Sequence, residues 1–147
     1  MIDLTPVQLA QLHAAVFKAS RAWSEEEMRS LLSSPHVLVA GTEHGFAMGR
    51  VIGDEAELLT IVVHPDQQGR GIGRTLLTSF EDEAKSRGAR LAYLEVAADN
   101  EPARAMYITS GWSESGRRTG YYTRQTGSPV DAILLAKHLP LREPSEK

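Results

Sequence analysis

The chain has 147 residues, 41% hydrophobic and 24% charged, with a formal net charge of −3. That length suits one domain, and the balance excludes both a disordered chain and a membrane-embedded one. The lack of cysteine removes disulfides, thiolate metal cages and any cysteine-borne acyl group, while the mild acidity argues against nucleic acid as the main partner and permits a basic acceptor.

Thr5-Pro6-Val7-Gln8 is a capping box with proline at the first helical position, so a helix starts there with Val7, Leu9, Leu12, Val16 and Phe17 as its apolar positions. Ser24 and Glu27 form a second box, opening a helix whose inward residues are Met28, Leu31 and Leu32 and which ends at Ser33-Ser34-Pro35. Residues 36–42, 46–52 and 57–63 read as three strands joined by hairpin-sized turns, an antiparallel meander. A third helix follows, with Ile72, Leu76, Leu77, Phe80 and Ala84 on one face, Arg74, Glu81, Asp82 and Lys85 on the other, and Gly88 closing it. Residues 91–96 form a compact strand, and Asn100 caps a helix running through Ser110, with Pro102 in its first turn and Gly111 after its end. A βαβ crossover is the simplest way to assemble these pieces.

Residues 112–122 and 130–138 read as a closing strand pair around Gln125-Thr126-Gly127-Ser128-Pro129. The order ααββββαβαββ, with a short leading strand at residues 2–4, fits an α+β sheet with helices on both faces. Residues 139–147 are a polar, proline-containing stretch, so the single domain is bounded at 1–139 and 140–147 is expected to fray. The opening residues carry neither a basic region nor a signal-length apolar segment, and a cytoplasmic setting is expected, with no membrane partner. His13, His36, His44, His64 and His138 show no close metal-ligand spacing; surface or turn roles and no metal are expected.

The strand Leu58-Leu59-Thr60-Ile61-Val62-Val63 leads through His64-Pro65 into Gln68-Gly69-Arg70-Gly71-Ile72-Gly73, and a helix begins at once. Glycines 69, 71 and 73 can take up positive φ and carry no Cβ, so successive N–H groups can converge on a pyrophosphate at the helix N-terminus. A Walker loop would end in Gly-Lys-Ser/Thr, whereas this chain has Gly73-Arg74-Thr75. A dinucleotide fingerprint would place a third glycine where Arg74 or Leu76 stands. The plain alternative is a glycine-rich turn that only joins a strand to a helix.

Glu95 lies inside the strand Leu91-Ala92-Tyr93-Leu94-Glu95-Val96, near its C-terminal end. A carboxylate there turns to solvent, pairs with an arginine, or opens onto a cleft and serves catalysis.

Gln68-x-x-Gly71-x-Gly73 resembles the acyl-coenzyme A loop of the GCN5-related N-acetyltransferases. Asn100, Ala103, Tyr107 and Gly111-Trp112 are similarly spaced to that family's second motif, Asn-x-x-Ala-x-x-hydrophobic-Tyr followed by Gly-aromatic. Leu94-Glu95-Val96, Gly120-Tyr121-Tyr122 and Asp131-Ala132-Ile133-Leu134-Leu135-Ala136 further resemble the bacterial ribosomal-protein alanine N-acetyltransferases, as does Trp23-Ser24-Glu25, although Ala22 stands where that subfamily has proline.

The resemblance implies an α+β GNAT-type sheet, mostly antiparallel, and direct acetyl transfer from acetyl-CoA to an amine. It implies cofactor contacts from Ile61, Val62 and Val63 of the strand, from Gln68, Gly69, Arg70, Gly71, Ile72, Gly73 and Arg74 of the loop, and from Asn100, Ala103 and Tyr107. Tyr107 would protonate the departing thiolate, its alternative being core packing, while a helix cap alone explains Asn100. Glu95 would be the base, acting through a water or with its pKa raised by partial burial. The acceptor would lie between the turn at residues 21–27, with Trp23 and Glu25, and the closing strands at Tyr121 and Tyr122, of which alternation puts one ring in the core. A protein N-terminal amine is the expected acceptor, with a small amine or lysine as the alternative and a noncatalytic acyl-CoA sensor as the reading from another class; a monomer or homodimer is expected.

Overall fold

A computed structural model describes residues 1–17, 22–123 and 127–140. In chain order its elements are α1 (Pro6–Val16), α2 (Glu25–Leu32), β1 (Val37–Thr42), β2 (Gly45–Ile52), β3 (Glu55–Val63), α3 (Ile72–Ser86), β4 (Leu91–Ala97), α4 (Glu101–Thr109), β5 (Ser113–Tyr122) and β6 (Val130–His138), with a 3-10 turn at Pro65–Gln67. Three strands rather than four precede α3. Ile2 N–H donates to Gly41 O at 2.8 Å, a single backbone bond that does not extend residues 2–4 into a strand.

Both capping boxes form. Gln8 N–H donates to Thr5 Oγ1 at 3.2 Å while Thr5 N–H donates to Gln8 Oε1 at 2.8 Å, and Ser24 with Glu27 repeats the exchange. The box sets the phase of α1 so that Leu9 and His13, one turn apart, point inward. Val7, on the other side of the helix from Leu9, is exposed, and Leu32 of α2 also lies outward.

The sheet runs β1-β2-β3-β4-β6-β5. β3 and β4 are parallel and joined through α3, the expected βαβ crossover, whereas the other neighbours are antiparallel. β6 inserts between β4 and β5, leaving β5 at the edge. The helices α1 and α2 cover one face through Leu9 and Met28, packed on Phe46, Met48 and Val62. On the other face Leu76, Leu77 and Phe80 of α3 and Tyr107 of α4 join Ala47, Leu58, Leu94 and Ile133. The protein thus has the mixed α+β architecture with helices on both faces.

Two expectations are corrected by packing. Glu81, assigned to the solvent face of α3, is only 9% exposed. It lies between Leu77 and Ala84 on the buried side, where Trp112 and Lys137 satisfy its carboxylate. Leu139 is 2% exposed and its N–H donates to Arg90 O at 2.8 Å, so it closes the core rather than opening the tail. Residues 141–147 of the expected tail, Gln125 and Thr126 of the last turn, and Arg21 lie outside the described residues.

Candidate active site

The site starts from a defect in strand pairing. Gly49 lies opposite Leu58 and Met48 opposite Thr60, so Leu59 is an extra residue in β3. Such a bulge bends its strand. β3 pairs with β4 at Glu55, Ala56 and Glu57, and past that point the two parallel strands part. Ile61, Val62 and Val63 keep β2 on one edge and leave the other edge open, where an extended chain could add as a strand.

The glycine loop ends at the mouth of this opening. Gly69 and Gly71 adopt φ of 81° and 82°, with nothing within 4 Å of an added Cβ at either. Gly73 does not take positive φ. It belongs to α3, and its lack of a Cβ instead allows α4 to approach, because an added Cβ would sit 3.2 Å from Met106 Sδ and 3.8 Å from Val63 Cγ2. α3 begins with no side-chain cap, unlike α1, α2 and α4, and it has no acidic residue in its first turn. Its first N–H groups are therefore free for an anion, with the helix dipole adding attraction.

The polar side chains around the loop mostly brace it. Gln68 Nε2 donates to Val63 O at 3.1 Å, Thr75 Oγ1 donates to Gly71 O at 3.1 Å, and Arg74 reaches Thr109 Oγ1 at 2.9 Å, tying α3 to α4. Arg70 is exposed, and Ile72 and Ala103 pack against the core. Asn100 acts as the cap of α4, its Oδ1 accepting from Ala103 N–H at 3.4 Å.

Tyr107 and Glu95 come from opposite faces of the sheet. Tyr107 sits on α4 next to Met106, is 7% exposed, and meets Trp112 with ring centroids 6.0 Å apart. Burial pushes its hydroxyl up to about 12, so it stays protonated and can give a proton rather than take one. On β4, Ala92, Leu94 and Val96 point into the α3–α4 core, which turns Glu95 toward the α1–α2 side. Its side chain is 29% exposed, and Oε1 lies 3.7 Å from Arg118 Nε.

Before α2, Trp23 N–H donates to His13 Nδ1 at 3.1 Å. The imidazole is stacked between Phe17 at 4.3 Å and Trp23 at 4.7 Å. His13 is 3% exposed, which corrects the surface role expected for it. Burial pushes its pKa down to about 4 against a smaller upward pull from Glu27, so the ring is neutral and free to accept. Glu25 pairs with Arg29 at 3.6 Å along α2. Neither Tyr121 nor Tyr122 enters the core: Gly120, at φ 59°, and a register shift before Tyr122 break the alternation. The two rings instead meet edge to face at 5.2 Å.

His13 and Arg118 touch the expected site residues Trp23 and Glu95, contacts that sequence reasoning passed over. The spacing of His13, four after Leu9 on the inward face, was a usable signal; Arg118 had none, because its reach to Glu95 depends on β6 lying between β4 and β5. A separate groove of about 500 Å³ follows the outer side of α4, lined among others by Arg104, Ile108 and Glu114, and holds none of the expected site residues. Among the described residues no group of three or more His, Cys, Asp or Glu is placed to hold a metal, and no helix is long and apolar enough to cross a membrane.

Residues 8–112 match the family described as Acetyltransferase (GNAT) family. The chain is 35% identical over 144 residues to the [Ribosomal protein bS18]-alanine N-acetyltransferase of Escherichia coli strain K12, covering 92% of this chain and 97% of that one. It is 39% identical over 122 residues to the N-alpha-acetyltransferase RimI of Mycobacterium tuberculosis, covering 77% and 75%. The crystal structure of the ribosomal-protein-S18-alanine N-acetyltransferase from Escherichia coli superposes with a TM-score of 0.82 at 30% identity, covering 95% of this chain and 91% of that one. A parted strand pair and an uncapped helix behind a glycine loop suit the arm and pyrophosphate of acetyl-CoA, and with these likenesses the chain belongs to the GNAT family, an acyltransferase that uses acetyl-CoA as cosubstrate and an amine as acceptor.

Proposed function

We propose that the protein acetylates the N-terminal α-amine of a protein, with an alanine terminus of a ribosomal protein as the favoured acceptor. The observation that carries this reading is the cleft itself. β3 and β4 part beyond Glu57, Tyr107 of α4 lies on the α3–α4 face of the sheet, and Glu95 of β4 is turned to the other face beside Arg118. The likeness to ribosomal-protein alanine acetyltransferases along nearly the whole chain supports the same acceptor class. On this reading the reaction takes place in the cytoplasm.

N–H groups at Gly69 to Gly73 and the start of α3 hold the pyrophosphate, and the free edge of Ile61, Val62 and Val63 aligns the pantetheine arm. Fixing the thioester beside the amine supplies much of the acceleration. An α-amine, with a pKa of about 7.7 to 8.0, is partly neutral at neutral pH, whereas a lysine near 10.4 is almost wholly charged. A modest base therefore suffices, and Glu95 takes the amine's proton through a water. The C–N bond forms, the C–S bond breaks, and Tyr107 gives its proton to the departing sulfur.

Two basic peptides decide the acceptor: one with a free N-terminal alanine and no lysine, the other N-blocked with a single lysine. Mass spectrometry after incubation with acetyl-CoA should place the acetyl group on the alanine terminus alone. Transfer to the lysine peptide at a comparable or greater rate contradicts the proposed acceptor class.

A further inference from the structure

β4, β6 and β5 lie side by side, so Glu95 stands opposite Leu134 and Leu134 opposite Gly116. Gly116 offers no side chain on that row, and Leu134 Cδ1 fills the space, 3.1 Å from where a Cβ would stand. Arg118, opposite Ala132, reaches across β6 to place Nε 3.7 Å from Glu95 Oε1. Its guanidinium carbon lies 5.2 Å from the Tyr121 ring centroid, which gives the side chain a fixed support. Arg117 points to the opposite face, bonded to Asp131 Oδ2 at 3.2 Å and Glu114 Oε1 at 3.4 Å. One arginine of the pair is thus tied into β5–β6, and the other faces the cleft.

A carboxylate alone is a poor neighbour for a nucleophilic amine. It stabilises the ammonium form, which cannot attack. Resting on the role of Glu95 proposed above, we infer that Arg118 is a positioning residue for the acceptor's charge state. Its guanidinium offsets the Glu95 carboxylate, disfavours an ammonium in the cleft, and so selects amines that lose their proton near neutral pH. Five donors on the guanidinium also leave it able to hold the water through which Glu95 acts.

The remaining ionisable groups around this pair do not duplicate it. Tyr93 on β4 is held uncharged by burial and by Glu57 and Glu55, while Arg50 of β2 is paired with Glu57 of β3 at 2.7 Å. Asp131 of β6 is turned to Arg117 and Gly120 N–H. Glu25 and Glu27 open α2, His13 of α1 is neutral above about pH 4, and Tyr121 and Tyr122 complete the rim on β5.

The test is the pH dependence of kcat for wild type, Arg118→Gln and Arg118→Lys, measured on the fastest acceptor among the two peptides and a set of small amines. Removing the charge should move the acid limb up by about half a pH unit or more, cutting kcat below the limb roughly threefold and sparing the alkaline plateau. Arg118→Lys should keep the wild-type limb, and high salt should shrink the difference. A limb unmoved in Arg118→Gln, or an equal loss at every pH, overturns the inference. Wild-type preference for lysine overturns the proposed acceptor class and with it the selection assigned to Arg118, whereas an unchanged profile in Glu95→Gln together with a moved limb in Arg118→Gln overturns only the role of Glu95 as base.

Discussion

Replacing Glu81 with alanine tests the packing that supports Tyr107. Glu81 Oε1 accepts from Lys137 Nζ at 2.6 Å and Oε2 from Trp112 Nε1 at 3.1 Å, while Lys137 Nζ also donates to Ser110 O at 2.8 Å. These bonds join α3, the α4–β5 turn and β6. Trp112 in turn meets the Tyr107 ring, with centroids 6.0 Å apart, and its backbone N–H donates to Tyr107 O at 3.0 Å. Stranding one partner of a buried ion pair costs about 3 to 5 kcal/mol, and the low end applies because the Lys137 side chain keeps 25% of its exposure and can turn to water. The unpaired indole N–H adds about 1 kcal/mol.

The expected loss for Glu81→Ala is thus roughly 4 kcal/mol, or roughly 12 °C in Tm for a domain of this size. Urea unfolding of the single variants Glu81→Ala and Lys137→Met and of the double variant measures it. The cycle should show coupling of about 2 kcal/mol, because removing both charges leaves neither buried alone. A loss under about 1 kcal/mol, or additivity of the two changes within about 0.5 kcal/mol, refutes the reasoning.

Tyr107→Phe keeps the ring and its packing, so Tm should stay within a few degrees while kcat drops by about two to four orders of magnitude and acetyl-CoA binding holds; steady-state kinetics with calorimetry separates the two. His13 gives stability a pH dependence. Its folded pKa of about 4 lies below the unfolded 6.5, so the unfolded chain binds the extra proton between them. The contribution is complete above about pH 6.5 and fades as pH falls through about 4, by at most about 3 kcal/mol. Urea midpoints from about pH 4 to about pH 8 should show this slope in wild type and lose it in His13→Gln.

Local signals carried most of the fold. The capping boxes at Thr5 and Ser24, the glycine loop and the Asn100 cap each act within a few residues, and every expected element except the short strand at residues 2–4 formed within two residues of its expected ends. What the sequence left unread depends on distant partners. Glu81 looks like a solvent residue until Trp112 and Lys137 arrive from elsewhere in the chain. The bulge at Leu59 is a disagreement in register between two strands, invisible in either one. The place of β6 between β4 and β5 alone brings Arg118 to Glu95. Gly73 was legible as part of the motif but for a different reason, helix approach rather than positive φ.

A crystal structure with a conjugate joining coenzyme A through an acetyl bridge to the α-nitrogen of an alanine-led peptide tests the account most directly. The pyrophosphate should lie on the N–H groups of Gly69 to Gly73, the arm along Ile61 to Val63, Tyr107 beside the sulfur, and the α-nitrogen within one water of Glu95. An arm bound outside the β3–β4 opening, or an α-nitrogen turned away from Glu95, contradicts it.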